Sequence, residues 1–245
     1  MLIAAFETTG RNASCALIDE TGRLIVERSE EKMNHLKDII VLLDRCFRRA
    51  GAAPGELTHA AASVGPGSFT GIRIGVTTAR TVAQAAGAKA IGISSLEGMA
   101  LEASDCAREA GIEYIVPLIN ARRNQTYSAA YRLTDEGLKL VLKDRQYMID
   151  ELLNEVKGLG ERVLLTGDGA DSYLAVIEET LSDGSYELAP EEARYPSAGS
   201  IARLALSRLE SAGGYEELLP DYMRLSEAEQ RLKEGTLSKR IRGEL

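Results

Sequence analysis

Apolar residues recur along this chain in two rhythms. Short continuous or alternating runs predict strands, and three- and four-residue spacings predict helices. Residues 2–6 are an apolar run closed by the polar turn Glu7-Thr8-Thr9-Gly10. Residues 13–19 and 24–29 flank Glu20-Thr21-Gly22 and predict a hairpin. Leu36, Ile39, Ile40, Leu43, Phe47 and Ala50 then recur at helical spacing until Gly51. A further apolar run, 60–64, is broken by Gly65-Pro66-Gly67-Ser68. Ser68 is placed to cap a second helix over 69–86, which Gly87 ends. Residues 90–93 predict a strand, and Ser94 or Ser95 caps a helix running to residue 110.

The pattern then restarts. Residues 114–120, 127–133 and 138–146 read as three strands, the last two joined by Thr134-Asp135-Glu136-Gly137. A helix follows near 149–156, then a strand over 162–165 running into Thr166-Gly167-Asp168-Gly169. Helices are predicted over 173–181 and 201–212, the second capped from 197–200. The order βββαβα, given twice, predicts an α/β protein built from a duplicated mixed sheet with packed helices. One continuous α/β domain is the alternative. The expected divisions are a lobe over 1–110, a lobe over 111–225 and a charged, solvated tail over 226–245.

The helix over 36–50 carries more apolar residues than one sheet-facing stripe needs. Leu36, Ile39, Leu43, Cys46 and Ala50 make one face, and Ile40, Val41, Leu42 and Phe47 widen it. This surplus predicts burial on a second side, by the neighbouring helix 69–86 or by a partner.

Composition narrows the function classes. A chain of 245 residues suits one large or two small domains. With 44% hydrophobic and 27% charged residues it needs no disulfide or metal to hold a core. Lys and Arg number 29 against 37 Asp and Glu, a net charge of −8, which argues against a chain that grips nucleic acid by itself. Cys15, Cys46 and Cys106 lie far apart without a CxxC and read as small buried hydrophobes. No run approaches the roughly 18–20 apolar residues of a membrane span. The N-terminus has no basic leader, so a cytoplasmic protein without a membrane association is expected.

Four motifs carry candidate chemistry. Gly65-Pro66-Gly67-Ser68-Phe69-Thr70-Gly71-Ile72-Arg73-Ile74-Gly75 holds four glycines in eleven residues, without the Gly-Lys-Ser/Thr of a Walker loop. Gly71 and Gly75, with Thr78 and Ala79 one turn on, form a small-residue stripe over which another helix can pass, and the helix N-terminus suits an anion. A tight turn with an internal helix contact is the plainer reading. Glu7-Thr8-Thr9 could hold a hydrated Mg2+ and a phosphate, or be a bare turn. Asn120-Ala121-Arg122-Arg123 stands at the matching strand end of the second half, and its arginines suit an acidic partner, a phosphate or plain solvent. Thr166-Gly167-Asp168-Gly169-Ala170 is a glycine turn or helix entry. No GxSxG elbow is present, and His35 and His59 read as structural, so neither a catalytic residue nor a metal site is assigned.

Taken together, Phe6-Glu7-Thr8-Thr9, the stretch from Gly65 to Gly75, Ile93-Ser94-Ser95-Leu96-Glu97 and Ala121-Arg122-Arg123-Asn124-Gln125-Thr126-Tyr127 resemble the bacterial TsaB (YeaZ) family. Pro220-Asp221-Tyr222-Met223-Arg224 with Ser226-Glu227-Ala228-Glu229 extends the resemblance. It implies the actin-like, Hsp70-like fold of two ribonuclease H-like lobes. It also implies a non-catalytic subunit in the synthesis of threonylcarbamoyladenosine at position 37 of tRNA. Such a subunit docks a TsaD-type transferase through the two helices after the first hairpin and supports a TsaE-type ATPase. It meets tRNA only through the complex and pairs with itself when alone. The implied interface residues are Leu36, Ile39, Ile40, Leu43, Phe47, Gly71, Arg73, Gly75, Thr78 and Ala79. No cofactor of its own is implied, ATP or ADP with Mg2+ belonging to the complex, with Glu7, Thr8 and Thr9 as the residues nearest to such a role. Glu7 and Asn120 stand where the family has aspartate, which argues against ATP hydrolysis by this chain. An ATP-dependent phosphotransferase of the same fold is the alternative function.

Overall fold

The computed structural model describes residues 1–10, 12–29 and 35–223, with backbone only for 35–37. The tail over 226–245 and the Leu36 side chain lie outside the described residues. The first half opens with an antiparallel meander of β1 (Leu2–Glu7), β2 (Ser14–Asp19) and β3 (Leu24–Arg28). Asp19 shapes the second turn by accepting hydrogen bonds from the Thr21 amide at 2.9 Å and the Thr21 hydroxyl at 2.6 Å. After α1 (His35–Ala50), β4 (His59–Gly65) joins β1 in parallel. After α2 (Phe69–Ala86), β5 (Lys89–Ser94) joins β4 in parallel, giving the order β3-β2-β1-β4-β5.

The second half repeats this plan. Strands β6 (Tyr114–Arg122), β7 (Gln125–Thr134) and β8 (Gly137–Met148) form the meander. Helix α5 (Ile149–Gly158) leads to β9 (Val163–Thr166), parallel to β6. Helices α6 (Asp168–Ser172) and α7 (Leu174–Thr180) lead to β10 (Tyr186–Leu188), parallel to β9. The order β10-β9-β6-β7-β8 is the first sheet's order written from the other end. The duplicated ribonuclease H-like lobes expected from the sequence are therefore present. Strand β10, three residues long, is one that the apolar pattern does not announce.

Each sheet is covered on two faces, so its central strand is apolar on both sides. Along β1, Ala4 and Phe6 enter the layer under α1 and α2, while Ile3 and Ala5 enter the opposite layer. That opposite layer is filled by α8 (Ala198–Leu206), whose Ala198, Ile201, Ala202 and Ala205 lie on Ile18, Ile91 and Ile93. The Ala198 amide donates to Ser14 Oγ on β2 at 2.9 Å. Farther on, Gly213 bridges Ala90, and the Asp221 amide donates to the Val64 carbonyl at 2.8 Å. Residues 198–221 thus pack with the first lobe, while Met223 packs with the cluster over the second sheet. The expected lobe over 111–225 is corrected accordingly, because a sheet covered on one face only would leave Ile3, Ile18 and Ile91 in water.

The exchange runs both ways. The helix expected over 95–110 is two, α3 (Ser95–Glu102) and α4 (Ser104–Glu109), parted where the Ser104 hydroxyl donates to the Leu101 carbonyl at 2.7 Å. Leu96, Ala100, Ala103 and Ala107 of this pair cover Ile115, Ala129 and Leu164 of the second sheet. Glu97 of α3, nearly buried, takes both terminal nitrogens of Arg208, one of them at 2.8 Å. Glu102 takes Arg28 at 2.9 Å and the Ser197 hydroxyl at 2.5 Å. Among the described residues no helix is long and apolar enough to cross a membrane.

Candidate docking surface and the turns between the lobes

Strands β1 and β4 are parallel neighbours, so the turns that follow them meet. Glu7 ends β1 and is wholly buried. Its Oε1 accepts the Thr9 amide and the Thr9 hydroxyl, both at 2.5 Å, and its Oε2 accepts the Ser63 hydroxyl of β4. Burial raises its pKa above the ordinary carboxylate value, with the Ser63 and Thr9 hydrogen bonds pulling the other way. A carboxylate facing a hydrated Mg2+ is not what this turn presents. Glu7 folds back onto its own turn, and Thr8 and Thr9 are buried with it.

The glycine-rich segment supplies the lid. Ser68 caps α2 by accepting the Gly71 amide at 3.2 Å, and Gly87 ends the helix in the left-handed region with φ 65°, both as the sequence predicts. The Ser68 amide donates to the Thr9 carbonyl at 3.2 Å. The Thr8 hydroxyl donates to the Gly71 carbonyl at 2.6 Å. A Cβ at Gly71 would overlap the Thr8 carbonyl oxygen, and one at Gly75 would stand 2.5 Å from Thr8 Oγ1. The small residues therefore admit the Thr8 turn from inside the lobe. The expectation that Gly71, Gly75 and Ala79 face outward is corrected: all three are buried, and Thr78 beside them is half-buried.

The outward surface of the helix pair is made by other residues. Ile39 is buried beneath α1, while Leu43 and Phe47, also nearly buried, floor an open apolar groove of about 320 Å³ between α1 and α2. Ile40 is 56% exposed on its rim, and Val41 beside it is 49% exposed. The α2 wall is Val82, Ala85 and Ala86, closed at one end by Pro54 and Leu57. The surplus apolar residues of α1 divide: Ile40 and Val41 are exposed and Leu42 is core, while Ile39, Leu43 and Phe47, expected as outward interface residues, are largely buried within the lobe because they pack on the first sheet and α2. Val82, Ala85 and Ala86 were missed. Their signal was the run Val82-Ala83-Gln84-Ala85-Ala86, apolar on two sides of one helix. Arg73 projects from the opposite flank of α2. Its guanidinium lies 4.0 Å over the Phe69 ring, its Nε donates to the Tyr222 hydroxyl at 2.9 Å, and the two rings stack with centroids 4.8 Å apart.

In the second lobe the equivalent turn is held by Asn120. Its Oδ1 accepts the Arg122 amide at 2.8 Å and the Tyr173 hydroxyl at 3.0 Å, and its Nδ2 donates to Ser172 at 2.9 Å. The carboxylate of Asp168 accepts the Asn120 amide at 3.1 Å. Arg122, Arg123 and Asn124 follow with φ of 64°, 53° and 58°, a left-handed hairpin tip with exposed side chains. Gly167 packs against the Leu118 backbone. Asn120 thus serves as a neutral pin for this tip.

A family model described as "TsaD: tRNA N6-adenosine threonylcarbamoyltransferase" matches residues 29–232. The Bacillus subtilis (strain 168) protein named tRNA threonylcarbamoyladenosine biosynthesis protein TsaB is 29% identical over 229 residues, 94% of this chain and 96% of its own length. The chain belongs to the TsaB (YeaZ) family. The Escherichia coli (strain K12) TsaB is 27% identical over 202 residues, 81% of this chain and 86% of its own. Among solved structures, a Pseudomonas aeruginosa protein described as uncharacterized with similarity to peptidase YEAZ superposes with a TM-score of 0.76. It is 22% identical, covering 91% of this chain and 99% of its own, which establishes a shared fold.

Proposed function

We propose that this chain is the accessory subunit of a TsaD-type transferase in the synthesis of N6-threonylcarbamoyladenosine at position 37 of tRNA. The observation that carries the reading is the apolar groove between α1 and α2, with the exposed Ile40 on its rim. An apolar strip of this kind is unfavourable in water and calls for a cover. In this account a similar helix pair of the TsaD-type subunit provides it, and a second copy of the chain does so when that subunit is lacking. The TsaE-type ATPase and tRNA engage the assembled complex, in the cytoplasm, and the chain carries no catalytic residue. The relatives' names supply the pathway.

The phosphotransferase reading needs an open carboxylate to organise a metal and a phosphate. Burial of Glu7 and neutrality of Asn120 count against it. The test is reconstitution with a TsaD-type subunit, a TsaE-type ATPase, the threonylcarbamoyl donor, ATP and tRNA. Modified adenosine should form only when this chain is added, and this chain with Mg2+ and ATP alone should release no phosphate above buffer. Modification at full rate without it would overturn the proposal.

A further inference from the structure

Among the described residues that line the groove between α1 and α2, Asp44 alone is charged. It follows Ile40 by one helical turn and so shares its side of α1. Within the chain it pairs with Arg48, one turn farther on, at 2.9 Å. The Asp44 side chain is 55% exposed and that of Arg48 78%, and an ion pair so open to water holds weakly. While the groove is open, the carboxylate is therefore available to a second cation.

Covering the groove changes the position of Asp44. A carboxylate inside an apolar contact loses water, and it is stabilised there only if a cation arrives with the cover. We infer that Asp44 is the specificity-determining residue of this surface. It selects a partner helix that carries lysine or arginine beside its apolar residues, and it disfavours a second copy of this chain. The inference rests on the docking reading of the groove given above. The groove suits a helix of modest length. From Ile40 to Phe47 its α1 side makes about two turns, or about 10 Å at ~1.5 Å per residue. The occupant is accordingly about two turns of an amphipathic helix, with apolar residues three and four apart toward the groove and the cation on its flank.

Discrimination against a second copy follows from symmetry. Two copies that pair through this face do so about a two-fold axis, so the same residues enter from both sides. Each copy brings its own Asp44, and two carboxylates enter one poorly hydrated contact. Arg48, which each copy also brings, lies outside the groove lining. Like charges in one contact cost affinity, and a charge that meets its opposite gains it. One side chain therefore acts with opposite sign on the two assemblies that the groove can form.

The test uses the full-length chain and a TsaD-type subunit. Calorimetry at low and high salt gives the heterodimer affinity, and sedimentation equilibrium of the chain alone gives the homodimer affinity. Asp44→Asn keeps the shape of the side chain and removes its charge. At low salt it should weaken the heterodimer about tenfold and tighten the homodimer about threefold, and it should flatten the salt dependence of the heterodimer. A loss of folding would weaken both assemblies together, so opposite signs are the result that a merely structural role does not give. A heterodimer that does not weaken, or a homodimer that does not tighten, overturns the inference. Ile40→Glu separates this failure from failure of the docking reading. If it weakens both assemblies while Asp44→Asn moves neither, the groove docks and Asp44 does not select. If Ile40→Glu is also without effect, the groove is not the docking face and the inference falls with it.

Discussion

The hydroxyl of Thr8 donates a 2.6 Å hydrogen bond to the carbonyl of Gly71, tying the turn after β1 to the first turn of α2. The same threonine occupies the space where Gly71 and Gly75 lack side chains. The glycine-rich segment is therefore a seat for Thr8, and α2 is positioned by it. The groove, walled by Val82, Ala85 and Ala86 farther along the same helix, inherits that placement.

Gly75→Ala should destabilise the protein by about 1–3 kcal/mol, the usual range for overpacking a close contact. Thr8→Ala should cost about 1 kcal/mol through the lost hydrogen bond. Because Thr8 Oγ1 is the atom that the new methyl meets, the double variant should cost less than the sum. Urea unfolding of the four proteins measures the cycle, and full additivity would contradict the seat.

Glu7 gives a pH dependence of definite sign. Its folded-state pKa is raised above the ordinary carboxylate value of 4.5 by burial. The folded protein then binds more protons than the unfolded chain in the window between those two values, so stability falls as pH rises through it. Glu7→Gln should remove this slope, and the variant should gain on wild type from acid toward neutral pH. Urea midpoints of both proteins on either side of the window check it. A wild type that gains on Glu7→Gln as pH rises would contradict the assignment.

Arg208 should matter more than an ordinary surface arginine. It neutralises Glu97, which is nearly buried where α3 meets the segment after α8. Arg208→Ala leaves that carboxylate uncompensated and should cost about 2–3 kcal/mol, below the full figure for a buried pair because Arg208 itself is partly exposed. Removing both charges by Glu97→Gln with Arg208→Ala should recover part of the loss. Thermal unfolding reads both.

The apolar rhythm located the strands of both meanders, and the Ser68 cap with Gly87 located α2 to the residue. What it could not tell was where elements go. The stripe Gly71-Gly75-Ala79 announces a close approach without naming the visitor, and the visitor is Thr8, 63 positions earlier. The apolar face of α8 announces burial, but its target is the first sheet, whose strands lie more than a hundred positions away. Glu7 reads as an acidic loop residue because Ser63, which accepts the role of its partner, is equally remote. Strand β10 escaped because three half-buried residues carry no period.

The most direct measurement is the affinity of the chain for a TsaD-type subunit, by calorimetry or light scattering, with substitutions on the two flanks of α2. Ile40→Glu and Ala85→Arg sit in exposed positions and should each change folding stability by no more than about 0.5 kcal/mol. Each should weaken the heterodimer at least about tenfold, because a charge would be buried in the covered groove. Arg73→Ala, on the opposite flank, should leave affinity within about threefold of wild type. If Ile40→Glu and Ala85→Arg fold and bind as wild type does, the groove between α1 and α2 is not the docking surface.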